Sequence, residues 1–159
     1  MSRMSASASL EAKVLEILRG LCPDIQGVGF LETAGAGEQK HEDPTAFQVR
    51  VYNLRQSKEA SPFFMVSVEI RLNVEQADSA DGALFLAAHE AVALWLERVM
   101  VQVDGEELDT QSVYVDGVQR TGDEKDFDTT GQMWFAAWAL TLSGRVKQPE
   151  EQEQEAANG

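Results

Sequence analysis

Two segments of the chain repeat apolar residues at intervals of three or four, the spacing of one face of an α-helix. The first predicts a helix over residues 10–21, with Ser9 as its N-cap and Pro23 just beyond its end. The second predicts a helix over residues 81–100, which are rich in Ala and Leu. Its apolar stripe consists of Leu84, Ala88, Ala91, Val92, Trp95 and Val99. Such a stripe needs an apolar partner, so we expect this helix to cover a sheet.

Three strands are predicted between these helices. A short apolar run at residues 27–31 predicts the first, and residues 47–52 alternate between apolar and polar side chains as a half-buried strand does. The longest alternation in the chain covers residues 64–74. One face of this strand carries Phe64, Val66, Val68, Ile70, Leu72 and Val74. Residues 56–62 are few and polar, which favours an antiparallel hairpin between the second and third strands.

Two more strand signals follow the second helix and flank an acidic segment. Val113 and Val115 indicate a strand, and the charged residues 122–128 are predicted to form a turn. Residues 133–146 predict a long terminal strand. One side of it carries Trp134, Ala136, Trp138, Leu140 and Leu142, and the other carries Met133, Phe135, Ala137, Ala139 and Thr141. Because both sides are apolar, we expect this strand to be buried on both faces.

The order of these elements predicts the α+β class, with two main helices packed on one face of a mostly antiparallel sheet. Residues 10–146 are expected to form a single domain. Residues 1–9 are small and polar and predict a flexible arm, and the glycines in residues 33–44 predict a mobile loop. The Glu- and Gln-rich tail, residues 147–159, is too polar to fold on its own and is predicted to be disordered.

Composition and charge exclude several classes of function for this chain of 159 residues. It has 13 Lys and Arg and 27 Asp and Glu, which gives a formal net charge of −14. We therefore expect no basic surface that would bind nucleic acid or an anionic membrane. The single cysteine, Cys22, rules out an internal disulfide framework and a cysteine-based zinc site. No run of 18 apolar residues or secretory signal is visible, which favours the cytoplasm.

The residues that most often carry catalysis are scarce. The two histidines, His41 and His89, lack the spacing of a metal site, and Cys22 lacks a cationic neighbour that would activate its thiol. The acidic residues at 104–107 and 123–128 do not match a calcium-binding loop, so we interpret them as solvated turns. The glycine clusters match no phosphate-binding motif. We therefore expect no enzyme activity, no metal and no cofactor.

The aromatic residues point instead to association between copies of the chain. Trp134, Phe135 and Trp138 form the densest aromatic cluster, and the aromatic residues of small proteins serve both cores and interfaces. Two apolar faces on one strand are more than a two-layer domain covers easily. The candidate subunit-interface residues are Phe63, Met65 and Phe135.

The order of elements resembles that of bacteriophage tail terminator proteins, the rings that stop growth of the tail tube. The matching features are a first helix at Leu10–Leu21, paired strands at Phe47–Tyr52 and Phe64–Val74, a second helix at Ala83–Met100, and the strands and acidic segment at Val113–Val115, Asp123–Asp128 and Met133–Val146. The resemblance covers about residues 10–146 and is one of architecture and size. The loop at 33–44 and the tail have no counterpart in it.

This resemblance implies a virion structural protein, made in the host cytoplasm, that forms a homo-hexameric ring. Such a ring caps the tail tube, joins it to the head connector protein, and contacts both the tail tube protein and further copies of itself. DNA passes through its lumen without specific binding, and no membrane is involved. The candidate lumen-facing residues are Asp123, Glu124, Asp126 and Asp128, whose charge would repel DNA.

Three alternatives to a tail terminator stay open on the sequence. One is another tube or joining component of a phage tail or contractile injection system, which would polymerise rather than stop. Another is a cytosolic acidic α+β binding or chaperone module without a central channel. The last is a small enzyme that depends on His41 or His89.

Overall fold

The protein is described here from a computed structural model, which describes residues 5–29, 45–56, 61–101 and 105–148. The helices are α1 (Ala6–Leu21), α2 (Ala83–Val101) and the one-turn α3 (Gly105–Leu108), with a 3₁₀ turn at Gln76–Asp78. The strands are β1 (Gln26–Gly29), β2 (Ala46–Gln56), β3 (Phe63–Glu75), β4 (Val113–Asp128) and β5 (Met133–Val146). They form one five-stranded sheet in the order β1-β2-β3-β5-β4. The predicted mobile loop at 33–44 lies outside the described residues.

Helix α1 begins four residues earlier than its apolar pattern indicates. Ser5, not Ser9, is the N-cap, and its hydroxyl accepts a hydrogen bond from the backbone N–H of Ala8 at 3.1 Å. Ser9 lies inside the helix, where its hydroxyl bonds the Ala6 carbonyl and the Thr110 side chain. The prediction of a flexible arm over residues 1–9 is therefore wrong for residues 5–9, because a second serine provides the cap one turn upstream.

The predicted antiparallel hairpin between the second and third strands is confirmed. β2 and β3 are antiparallel, with Phe47 opposite Leu72 and Val49 opposite Ile70. β3 continues antiparallel onto β5 along its whole length. β1 pairs with β2 in parallel and is the one parallel strand among those described. The predicted α+β fold with a mostly antiparallel sheet is confirmed.

The acidic segment 122–128 forms the second half of strand β4, so the predicted turn is wrong. Asp128 pairs with Met133, and the reversal takes place over residues 129–132, where Gln132 has a φ of 50° and the Asp128 carboxylate accepts a bond from the Thr130 N–H. Strand propensity is low for Asp and Glu, but continuous pairing with the apolar β5 extends the ladder through them. Charge on a strand at the edge of a sheet also opposes pairing with foreign strands.

One apolar core lies between the helices and one face of the sheet. The even-numbered residues of β3 and β5 point into it, together with Phe47, Val49 and Val51 of β2. Helix α1 packs over β1 and β2, and α2 packs over β3 and β4, with its Phe85 ring 5.7 Å from Trp134. The buried residues of α2 are Phe85, Ala88, Val92, Trp95, Leu96 and Val99. Both main helices therefore cover the same face.

The ordered domain extends beyond its predicted last residue, Val146, to include Lys147. Lys147 is 5% exposed, and its backbone N–H donates to the Ser112 carbonyl at 2.8 Å. Its ammonium lies 4.4 Å from the centre of the Tyr114 ring. The predicted disordered tail, 147–159, therefore includes at least one ordered residue, and residues 149–159 lie outside the described part of the chain.

Candidate docking surfaces

The second face of the sheet carries no described helix or strand, and we call it the open face. It consists of the residues that alternate with the core positions. On β2 and β3 these are Gln48, Arg50, Tyr52, Arg55, Phe63, Met65, Ser67, Glu69, Arg71 and Asn73. On β5 they are Met133, Phe135, Ala137, Ala139, Thr141, Ser143 and Arg145. The prediction that β5 is buried on both sides is thus wrong for the single chain: its odd-numbered residues through Arg145 are only half-buried.

A hollow of about 720 Å³ lies at one end of the open face. Phe63 and Met65 line it and are 58% and 55% exposed, values that are high for large apolar side chains. Arg55 and Asp116 supply the charge at its rim. A β-bulge in β2 between Tyr52 and Arg55 turns the Arg55 side chain toward this end. The hollow therefore combines an apolar floor with polar edges.

Phe135 lies toward the other end of the same face. The Arg71 guanidinium covers its ring at 5.3 Å, and the side chain is half-buried. Phe135 is eight residues along β5 from Ser143, the partner of Met65, a separation of roughly 26 Å. The three predicted interface residues, Phe63, Met65 and Phe135, thus share one face, but the structure does not bring them into one patch.

The four acidic residues predicted to line a lumen divide between the two faces of the sheet. Asp123 pairs with Trp138, a core residue, and so lies on the helix side. Glu124, Asp126 and Asp128 pair with Ala137, Phe135 and Met133 and so lie on the open face. All four are exposed because β4 is an edge strand. They form an acidic margin along one side of the sheet.

The rest of the open face has the opposite charge. Strands β2, β3 and β5 place there the arginines Arg50, Arg55, Arg71 and Arg145 and the glutamates Glu69 and Glu75. Three of these arginines lie over aromatic rings: Arg50 over Tyr52, Arg71 over Phe135 and Arg145 over Tyr114. Arg71 also pairs with Glu69, whose carboxylate lies 3.6 Å from the Arg71 guanidinium, so part of this positive charge is balanced on the same face. In a chain of net charge −14, this is a locally basic surface.

The outer side of helix α2 is a second surface with unusual composition, and the sequence reasoning missed it. Leu86, Leu94 and Val101 are 53%, 58% and 90% exposed, and they follow one another at intervals of eight and seven residues. Glu90 and Glu97 lie on the same side. A helix that is apolar on its inner and outer sides is typical of one that is covered on both. The signal that could have revealed this surface was the position of Leu86 and Leu94, which lie off the predicted apolar stripe.

His89 lies inside an aromatic cluster between α2 and the sheet. Its ring is 5.2 Å from that of Trp138 and 6.0 Å from that of Phe85, while Phe127 contacts Trp134 at 4.5 Å. Burial, followed by the positive charge of Lys125, lowers the pKa of His89, and Asp123 acts in the opposite direction. The imidazole packs against the Trp138 indole at an angle of 33°, and no second histidine lies beside it in the described residues.

Cys22 and Glu107 have structural surroundings. Cys22 is buried with a free thiol, and burial together with Asp24 raises its pKa, which disfavours the reactive thiolate. Glu107 accepts a hydrogen bond from the Trp95 indole at 2.9 Å and two from Arg98. The bonds from Arg98 come first among the causes that lower the pKa of Glu107. Both groups contact α2: the Cys22 thiol donates to the Ala88 carbonyl at 4.0 Å, and Glu107 bonds Trp95 and Arg98.

No group of three or more potential metal ligands comes together among the described residues. Residue His41, the other histidine considered as a ligand or base, lies outside them. Within the described ranges, no helix is long and apolar enough to cross a membrane.

No known family model matches this chain, and no curated protein sequence matches it either.

Proposed function

We propose that this protein is a structural subunit of a phage tail, which forms a terminator-like ring that caps the tail tube and joins it to the head connector. In this role the chain acts through its surfaces and carries out no chemical reaction. Its working location is the virion, after assembly in the host cytoplasm. Its partners are further copies of itself, the tail tube protein and the connector protein.

The observation that carries this proposal is the open face of the sheet. Phe63 and Met65 are more than half exposed there, and a further row of half-buried residues follows along β5. Monomeric proteins seldom expose large apolar side chains next to one another, because covering them stabilises the protein by roughly 25 cal/mol per Å² of apolar area. In a subunit of an assembly, a neighbouring subunit covers such side chains.

The acidity of the chain suits a channel through which DNA moves. Six copies, each with a formal charge of −14, would repel the DNA backbone and prevent it from adhering. We assign the channel wall to the acidic margin of β4, the part of the described surface where Asp123, Glu124, Asp126 and Asp128 are all exposed. Because Asp123 lies on one face of the strand and the others lie on the second, the edge of β4 rather than one of its faces would line the channel.

Imaging of the purified full-length protein tests the ring. Electron microscopy should show closed rings with a central channel, and native mass measurement should give six copies. Tubes of indefinite length would instead identify a tube protein, and a monomer at every concentration, with or without tail tubes, would contradict the proposal. A compact dimer or tetramer without a channel would favour a binding or chaperone module.

A charge reversal tests the channel wall separately. Replacing Asp123, Glu124, Asp126 and Asp128 with Lys should leave the rings intact and slow DNA ejection from assembled particles, because the wall would then attract phosphates. The control is Glu16→Lys, a single charge reversal on the exposed side of α1, against which the effect of each β4 position is compared in single Lys variants. Unchanged ejection in the β4 variant would remove these residues from the channel.

A further inference from the structure

We infer that the open face of one copy binds the outer side of helix α2 of the next copy. This inference rests on the proposed ring and assigns the surfaces that build it. The sheet surface comprises Phe63 and Met65 with the arginines of β2 and β3, and the helix surface comprises Leu86, Leu94 and Val101 with Glu90 and Glu97. Each copy carries both surfaces on opposite sides of its own core.

The apolar parts of the two surfaces are complementary. Phe63 and Met65 line a hollow of about 720 Å³, which offers space for the side chains of a helix. Leu94 and Leu86 are more than half exposed on α2, and the positions between them on that side are small or acidic. Burying apolar side chains of both copies in one contact removes two exposed patches at once.

The charged parts of the two surfaces are complementary as well. On the sheet side, Arg50, Arg55 and Arg71 outnumber Glu69, which lies 3.6 Å from Arg71. On the helix side lie Glu90 and Glu97. In an acidic chain, two copies repel each other on average, and contact is favoured where an acidic surface meets a basic one. The acidic outer side of α2 and the basic part of the open face provide such a match.

The dimensions also agree. Strands β2, β3 and β5 together span about 14 Å, and the 13 residues of β3 span about 43 Å, which gives a footprint longer and wider than a helix. The 19 residues of α2 are about 28 Å long and fit within this footprint.

This arrangement dictates the symmetry. The two surfaces are different, so the contact is head-to-tail, and repeating it gives a closed ring or a filament rather than a two-fold dimer. The acidic margin of β4 lies at the edge of the sheet and stays outside the contact, where it can line a channel. A ring built this way alternates helix and sheet layers around its circumference.

Two variants, each blocked on one surface, test the inference. Met65→Asp places a charge in the sheet surface and Leu94→Asp places one in the helix surface, and both side chains are exposed enough for the chain to fold. Each variant alone should be monomeric by light scattering and native mass measurement. An equal mixture should give a one-to-one dimer and nothing larger, because each variant retains one intact surface. Leu21→Asp, at the exposed end of α1, is the matched control and should still form rings.

The outcomes separate this inference from the ring itself. If the wild-type protein forms rings and both Asp variants still do so, the contact lies elsewhere and the inference is wrong while the ring stands. Monomers alone in the mixture would show that the two surfaces do not meet. A two-fold wild-type dimer lost in the Met65→Asp variant and kept in Leu94→Asp would show that open faces pack on each other. A wild-type protein that never assembles would contradict the ring and the inference with it.

Reversing the charges on both sides provides an independent test. Arg50→Glu with Arg55→Glu should weaken assembly at least tenfold in concentration, and Glu90→Arg with Glu97→Arg should do the same. Combining all four changes in one chain should restore assembly, because every contact then pairs opposite charges again. Continued loss of assembly in the combined variant would contradict the pairing of these two surfaces.

Discussion

The two sides of strand β5 are both apolar in sequence, yet they have different surroundings in the fold. Ala136, Trp138 and Leu140 are at most 2% exposed beneath helix α2. Phe135, Ala137 and Ala139, on the other side, are half-buried and face outward. The apolar pattern of a strand therefore identifies which residues can be buried, but it does not identify whether the cover comes from the same chain or from another one.

Removing one aromatic residue from each side of β5 should give the largest difference. Trp138→Ala should lower the free energy of unfolding by about 3–5 kcal/mol, because a buried indole leaves a cavity that its neighbours cannot fill. Phe135→Ala should cost about 1 kcal/mol, since it loses partial burial and the contact with Arg71. Urea unfolding followed by circular dichroism, in dilute monomeric protein, measures both.

Similar losses for the two variants would contradict this comparison. A large loss from Phe135→Ala that grows with protein concentration would instead locate Phe135 in a contact between copies. That second result would sharpen the comparison, because it assigns a cover to the open face.

Two glycines of the β4–β5 pair provide a second comparison between the faces. A Cβ at Gly144, on the covered side, would collide with the backbone carbonyl of Tyr114, which cannot swing away as a side chain can. Gly144→Ala should therefore lower the free energy of unfolding by about 1–3 kcal/mol. A Cβ at Gly122, on the open side, would lie 4.0 Å from the Ala139 methyl carbon, an ordinary contact.

Gly122→Ala is accordingly the matched control and should change stability by less than about 0.5 kcal/mol. Thermal unfolding of the two variants beside the wild type measures the difference. Equal effects would mean that β4 can shift away from β5 near residue 144, so that the covered side is no tighter than the open one.

The sequence was sufficient to predict the fold wherever burial is regular. The strict alternation in β3 and the stripe on α2 give the correct elements, since each has one face in the core. It failed at 122–128, where the ladder continues through acidic residues because β5 offers partners for them. Local composition indicates a turn there, whereas pairing with a neighbouring strand, a long-range effect, decides the structure.

The candidate surfaces were predictable only in part for a similar reason. Exposed Phe63 and Met65 follow from their place opposite the core positions of β3. The outer side of α2 was not predicted, because the predicted stripe covers only one side of the helix and leaves out Leu86 and Leu94. The position of Arg55 depends on the bulge in β2, which no periodicity in the sequence indicates. Such surfaces can be identified only when the exposure of the two sides of a helix or strand is compared in the folded structure.

Variants of Glu107 test which of its hydrogen bonds, to Trp95 or to Arg98, stabilises the end of α2. Glu107→Ala should cost about 1–2 kcal/mol, because the Trp95 indole N–H, on a side chain only 4% exposed, loses its acceptor. Glu107→Gln retains an amide oxygen for Trp95 while losing the charge that pairs with Arg98, and it should cost less. Denaturant unfolding ranks the two variants. The reverse order would mean that the ion pair with Arg98 contributes more to stability than the hydrogen bond from the Trp95 indole.

The smallest effect is expected at His89, where the covered side meets the charges of β4. Burial and Lys125 lower its pKa, so in the folded protein the ring gives up its proton more readily than in the unfolded chain, whose histidine titrates near about 6.5. As the pH falls through that value, the unfolded chain binds a proton that the folded protein resists, and stability decreases until the folded pKa is passed.

NMR titration of the His89 ring in a His41→Gln background gives the pKa directly. Lys125→Gln should raise it and Asp123→Asn should lower it further, because the first removes a repelling charge and the second an attracting one. An ordinary pKa that neither variant changes would mean that the ring is solvated rather than packed against Trp138.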